Sequence, residues 1–136
     1  MKWIFLFCLI FPMPVLADKF SDTKALAEQG DAAAQSNLGM MYRTGKGTAQ
    51  DFKLAVKWSR LSADQGYADA QWSLGNMYEE GQGLLQDYKM AHMWYNIAAA
   101  NGDEDSAENR SRITKEMSPE ALNQAQDMAR KWVAAH

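Results

Sequence analysis

The chain repeats itself at an offset of 36 residues, and that spacing constrains its fold more than any other feature. Ala32, Ala34-Gln35, Leu38-Gly39 and Met41-Tyr42 return as Ala68, Ala70-Gln71, Leu74-Gly75 and Met77-Tyr78. Gly45, Gly47, Gln50-Asp51, Lys53, Ala55, Trp58, Ala63 and Gly66 return as Gly81, Gly83, Gln86-Asp87, Lys89, Ala91, Trp94, Ala99 and Gly102. Together 16 of the 36 aligned positions are identical between residues 31–66 and 67–102. A unit of this size cannot bury its own apolar face and has to lean on a neighbour. The period therefore predicts an all-α solenoid of stacked helical hairpins, and it favours binding over catalysis as the kind of function.

Each copy reads as two helices joined by a glycine loop. Helix A of the first copy is expected over residues 32–44, with apolar residues at 34, 38, 41 and 42 on one face. Asp31 is placed to cap it, and Gly45-Lys46-Gly47 to end it. Helix B starts near Asp51 and stops at Gly66; the second copy repeats the plan over 68–80 and 87–101. Ala27-Glu28-Gln29-Gly30 matches Ala63-Asp64-Gln65-Gly66, so residues 18–30 hold a partial repeat, a leading helix B over about 21–29. Residues 103–136 depart from the pattern as capping helices do: Asp103-Glu104-Asp105 opens one helix to about Met117, and Ser118-Pro119-Glu120 opens the last. Altogether about seven helices are expected after residue 17. Glycine inside a helix costs about 1 kcal/mol relative to alanine. Gly39 and Gly75 therefore predict that a neighbouring backbone passes too close for a side chain, with Trp58 and Trp94 filling the wedge between hairpins.

The first 17 residues have a different character. Lys2 precedes an apolar run over residues 3–16 that closes on Val15-Leu16-Ala17. A basic start, a short hydrophobic stretch and small residues before the cut predict a secretory signal peptide over 1–17, cleaved after Ala17. A membrane anchor is the competing reading, but the run is broken by Pro12 and Pro14 and falls short of the ~20 residues of a spanning helix. A lipoprotein is a narrower alternative, with Cys8 at the wrong end of the run. The product would be periplasmic or secreted, with no stable membrane insertion. Removing 17 of 136 residues leaves 119 and no cysteine, so packing has to hold the fold together. Without Lys2 the 14 basic residues become 13 against 17 acidic ones, a net charge of −4. The cations are scattered, which excludes electrostatic attachment to nucleic acid.

The pattern A-Q-x-x-L-G-x-M-Y-x-x-G-x-G, followed by Q-D-x-K-x-A-x-x-W and a closing A-x-x-G, resembles the Sel1-like repeat family, relatives of the tetratricopeptide repeats. The resemblance covers residues 31–102 and extends as degenerate half-units on either side. It implies a right-handed α-α superhelix that serves as a scaffold for protein–protein contacts, frequently an exported bacterial adaptor. It conveys no reaction, since fold is a poor guide to chemistry. Two alternatives come with it. Cysteine-rich secreted members are associated with penicillin binding and β-lactam hydrolysis, but carry a pair of cysteines in each unit that this chain lacks. A structural subunit of an envelope complex is the other.

The search for chemistry returns little. His92 stands where the first copy has Val56, which favours a partly buried or edge histidine over a catalytic base; His136 is the last residue. Gly45-Lys46-Gly47-Thr48 lacks the spacing of a phosphate loop. Glu79-Glu80 and Asp103-Glu104-Asp105 read as solvated helix ends rather than a cation site. No catalytic residue, metal or cofactor is expected. The two copies themselves suggest a contact surface. Their differing helix A positions are Ala33/Asp69, Ser36/Trp72, Asn37/Ser73, Met40/Asn76, Arg43/Glu79 and Thr44/Glu80. They fall at i, i+3, i+4 and i+7, a stripe opposite the stacking face. Stacked A helices would line a concave groove, so Met40, Arg43, Asp69, Trp72, Asn76 and Glu79 are expected to meet a protein or peptide. Trp72 would be the aromatic anchor, Met40 an adaptable apolar contact, and Arg43 and Asn76 polar readers. Packing of Trp72 on the end cap is the competing reading.

Overall fold

The computed structural model describes residues 18–136; the signal-peptide reading falls on residues 1–17, outside them. Seven helices follow one another: α1 (Lys19–Glu28), α2 (Ala32–Thr44), α3 (Phe52–Asp64), α4 (Ala68–Glu80), α5 (Tyr88–Ala100), α6 (Glu104–Thr114) and α7 (Pro119–Ala135). The described residues form no strand. Each helix packs on the next from α1 to α6, while α7 returns to lie on α5. Contacts also run from α2 to α4 and from α4 to α6, so the A helices form one layer of an α-α superhelix.

Local chemistry sets the helix ends. The Asp31 carboxylate accepts from Ala34 N at 2.7 Å, Asp51 from Leu54 N at 3.1 Å, and Asp103 from Ser106 N at 2.7 Å. Each satisfies an amide that the first helical turn leaves without a partner. At the start of α4 the repeat substitutes Tyr67, which makes no side-chain capping bond and packs against the core instead. Gly45 and Gly81 close α2 and α4 with φ of 73° and 68°, left-handed values that a side chain would resist.

The recurring glutamines stitch neighbouring helices. Gln35 Nε2 donates to Ala27 O of the preceding helix, and Gln71 Nε2 to Ala63 O, at 3.2 and 3.1 Å. On the following side Gln65 Nε2 donates to Gln35 Oε1 at 2.7 Å and Asn101 Nδ2 to Gln71 Oε1 at 2.8 Å. Gln50 and Gln86 donate to Arg43 O and Glu79 O, both at 2.8 Å, and fold the glycine loops back on their helices. A buried amide left unpaired costs about 1–3 kcal/mol, which makes glutamine at 35 and 71 specific to this crossing.

Apolar burial follows the repeat. Leu38, Leu74, Ala55 and Ala70 are 0 % exposed, with Trp58 and Trp94 in the same core, and Ala91, also 0 % exposed, joins Tyr95 and Ile113 in a second cluster. Trp94 meets Trp132 of α7 edge-on at 5.4 Å, so the capping helix is held by an aromatic pair. At Gly39 the close approach is shared: a Cβ there would lie 2.6 Å from Ser59 Oγ, with the backbone behind it at 3.2 Å (Ser59 N) and 3.3 Å (Ala55 O). At Gly75 the expectation needs correcting: the space belongs to the ring of Tyr95, which stands where the first copy has Ser59.

Candidate protein-interaction face

All six stripe residues lie on α2 and α4, and four of them are linked, Arg43 to Trp72 directly and Asn76 to Glu79 through Tyr95. Arg43, near the end of α2, donates from Nε to Gln82 Oε1 at 2.9 Å, and its guanidinium lies 5.9 Å from the Trp72 ring. This cation–aromatic contact bridges the two repeats. Trp72 is half-buried beside Ala91, Tyr95 and Ile113, so it packs partly on the end cap while one edge stays open. Its Nε1 is buried and has no partner.

Deeper on the same face, the Tyr95 hydroxyl is 2.6 Å from Asn76 Oδ1 and 2.7 Å from Glu79 Oε2. Arg112 of α6 donates to both Glu79 oxygens, through Nη1 to Oε1 at 2.5 Å and Nη2 to Oε2 at 2.9 Å. A two-pronged pair of this kind fixes orientation as well as charge. Burial works against the charge on Glu79, but the Arg112 guanidinium and the Tyr95 hydroxyl outweigh it and hold the carboxyl below its usual range. Burial, followed by the neighbouring carboxylate, pushes the Tyr95 phenol far above its ordinary range, so it remains a donor.

The stripe is therefore divided. Met40 is 36 % exposed and Asp69 is also exposed. Arg43, Trp72 and Glu79 are half-buried and cross-linked, whereas Asn76 is buried and committed to Tyr95. Tyr95 and Arg112 are members of this face that sequence reasoning missed. Tyr95 lies on a B helix and Arg112 in the degenerate cap, so comparison of A helices never reached them; the departure of Tyr95 from Ser59 was the available signal.

His92 is 2 % exposed, its Nδ1 has no partner, and burial with Arg110 nearby depresses its affinity for a proton. A Ser-x-x-Lys spacing of the kind used by penicillin-binding serines occurs once, at Ser21-Asp22-Thr23-Lys24 on α1. Ser21 and Lys24 are both exposed, and Lys24 pairs with Glu28 at 3.9 Å. No cluster of three or more potential metal ligands occurs among the described residues. No described helix is long and apolar enough to cross a membrane.

Stacked helical hairpins sharing one continuous layer of A helices define the class, an α-helical repeat solenoid. The Sel1 repeat family model matches residues 32–67 and 68–103, one residue later than the boundaries 31–66 and 67–102, and the chain belongs to the Sel1-like repeat family. Its fold is similar to that of c5321, a protective antigen present in uropathogenic Escherichia coli strains that displays an SLR fold. That similarity has a TM-score of 0.79 and 32 % identity, covering 88 % of this chain and 27 % of the antigen. The chain thus spans about a quarter of that protein's length. A Sel1 repeat protein from Oxalobacter formigenes is similar with a TM-score of 0.64 and 37 % identity, over 66 % of this chain and 68 % of that one. Among curated proteins there is no significant match. Sel1 repeats are in general helical modules for protein interaction.

Proposed function

We propose that this chain is an exported, non-enzymatic interaction module, an adaptor or scaffold that receives a protein or peptide on the layer of α2, α4 and α6. The observation that carries this reading is the held, half-open Trp72 ring. Arg43 lies over it from the first repeat, and the cluster it packs on includes Tyr95, which meets Glu79 of the Glu79–Arg112 pair. An aromatic that is already ordered loses little entropy on binding, and aromatic and arginine side chains carry most hot-spot energy. Asp69 adds an exposed charge on the same helix. Export rests on the leader-like residues 1–17. The antigen with the similar fold supports a surface-accessible or secreted setting only by analogy.

The test compares wild type with Trp72→Ala in a pull-down from the exported fraction, alongside circular dichroism of both proteins. Loss of the co-purifying protein with helicity intact is the expected result. Equal recovery removes Trp72 from the contact. Fractionation with N-terminal sequencing tests export; a chain retained in the cytoplasm, or one still beginning at Met1, ends that part of the reading.

A further inference from the structure

The charges around Trp72 are unevenly spent. Each arginine of α2 and α6 is already engaged. Arg43 gives its Nε to Gln82 and lies over the Trp72 ring, Arg112 holds both oxygens of Glu79, and Arg110 Nη1 donates to Asn96 Oδ1 at 2.7 Å. The carboxylates of Asp69 on α4 and of Asp105 and Glu108 on α6 are exposed, and among the described residues they form no ion pair. One repeat separates Asp69 from Asp105 and Trp72 from Glu108, so all four occupy one stripe. Arg112, on that stripe of α6, reaches Glu79 of α4, which sets the two stripes side by side.

Capping does not account for this set. Asp69 and Asp105 stand in first turns, where the helix dipole favours an acid, but Glu108 lies beyond the first turn. Asp105 and Glu108 are three residues apart on one helix face and repel each other. Ser73, one turn after Asp69, is 4 % exposed and its hydroxyl has no partner, so an unused acceptor accompanies the unused carboxylates. Lys115 ends α6 about 10 Å along the axis from Glu108, near the screening length of physiological salt. Residues 1–17 carry Lys2 as their one charged side chain, too few cations to balance three acids. We infer that this face takes a basic segment of a protein partner. Its lysine or arginine side chains meet Asp69, Asp105 and Glu108, and an apolar side chain between them rests on the open edge of Trp72. The inference depends on the interaction-module reading and adds to it the sign of the partner's charge.

The experiment uses purified protein with ¹⁵N-labelled tryptophan indoles and two dye-labelled peptides. Each peptide has about 15 residues with a central leucine pair, flanked by lysines in one and by glutamates in the other. The lysine peptide should bind more tightly, shift the Trp72 indole resonance, and weaken as salt rises from about 0.05 to 0.3 M. The combined variant Asp69→Asn, Asp105→Asn, Glu108→Gln keeps every side-chain shape and changes exposed positions only. It should lower affinity for the lysine peptide roughly tenfold with the thermal midpoint nearly unchanged. Equal affinity for the two peptides, or preference for glutamate, with the indole shifted keeps the binding face and overturns the basic partner. Lysine-peptide binding that ignores the triple variant or leaves the indole in place also overturns it. Indole shifts on simple dilution would make a second copy the occupant, through Lys53 and Lys57 of α3, and overturn the inference. Absence of binding by either peptide does the same, while co-purification with wild type but not Trp72→Ala would still uphold the module reading.

Discussion

At position 75 a methyl group would lie 2.5 Å from Cδ1 and Cε1 of Tyr95, well inside the contact distance of two carbons. Gly75→Leu should therefore overpack the crossing and cost on the order of 1–3 kcal/mol, read as a lowered thermal midpoint. Tyr95→Ser, which restores the residue of the first copy, should recover part of that loss if the ring is the obstacle. His92 is the other residue where burial dictates behaviour. Its folded-state proton affinity is depressed below the ordinary value of 6.5, by burial first and by Arg110 second. The unfolded chain takes up a proton there that the folded chain refuses. This contribution to stability is complete above about pH 6.5 and declines as the pH falls below it. His92→Val, the choice of the first copy, should flatten the urea midpoint between about pH 7 and 5.5. An unchanged slope would assign the loss to other groups.

Among the elements, α6 adds a cross-helix ion pair to the burial of Ile113, and α7 is held by aromatic packing. Glu79 on α4 holds Arg112 on α6, and its folded affinity for a proton lies below the usual 4.5. The pair's contribution is present above that value and is lost as acid protonates Glu79. Arg112 is 58 % exposed, so water screens the interaction to about 1 kcal/mol or less. Arg112→Ala should shrink the difference in stability between about pH 6 and pH 3, measured by urea titration. In α7, Trp132→Ala removes the edge-on partner of Trp94 and should cost about 3 kcal/mol, with loss of helicity at the C-terminal end in hydrogen exchange.

Helix positions were largely legible in the sequence, because aspartate and serine caps, glycine stops and apolar spacing are local signals. Helices α2 and α4 have the bounds expected of them, and the others differ by a few residues at their ends. The roles of Gln35 and Gln71 were not legible, since a glutamine's partner is a carbonyl on another helix. The candidate face was legible as a set of differing positions, but not as a network. Asn76 and Arg43 look alike in one dimension, and only packing separates a residue spent on Tyr95 from one that reaches the groove.

For the whole molecule, the stack sustains itself by passing each apolar face to the next hairpin, and its two ends differ. Among the described residues the C-terminal end is closed by α7 against α5, whereas Met40 and Met41 of α2 are less covered than Asn76 and Met77 of α4. The glutamine stitching has a further consequence. Because Gln35 and Gln71 reach backwards by the same step, the joint between Gly66 and Tyr67 would accept a duplicated 36-residue segment and present it with every tie it requires. A segment half as long would set a B helix where an A helix belongs. Such a chain can grow in length by whole numbers only, like a ladder extended rung by rung.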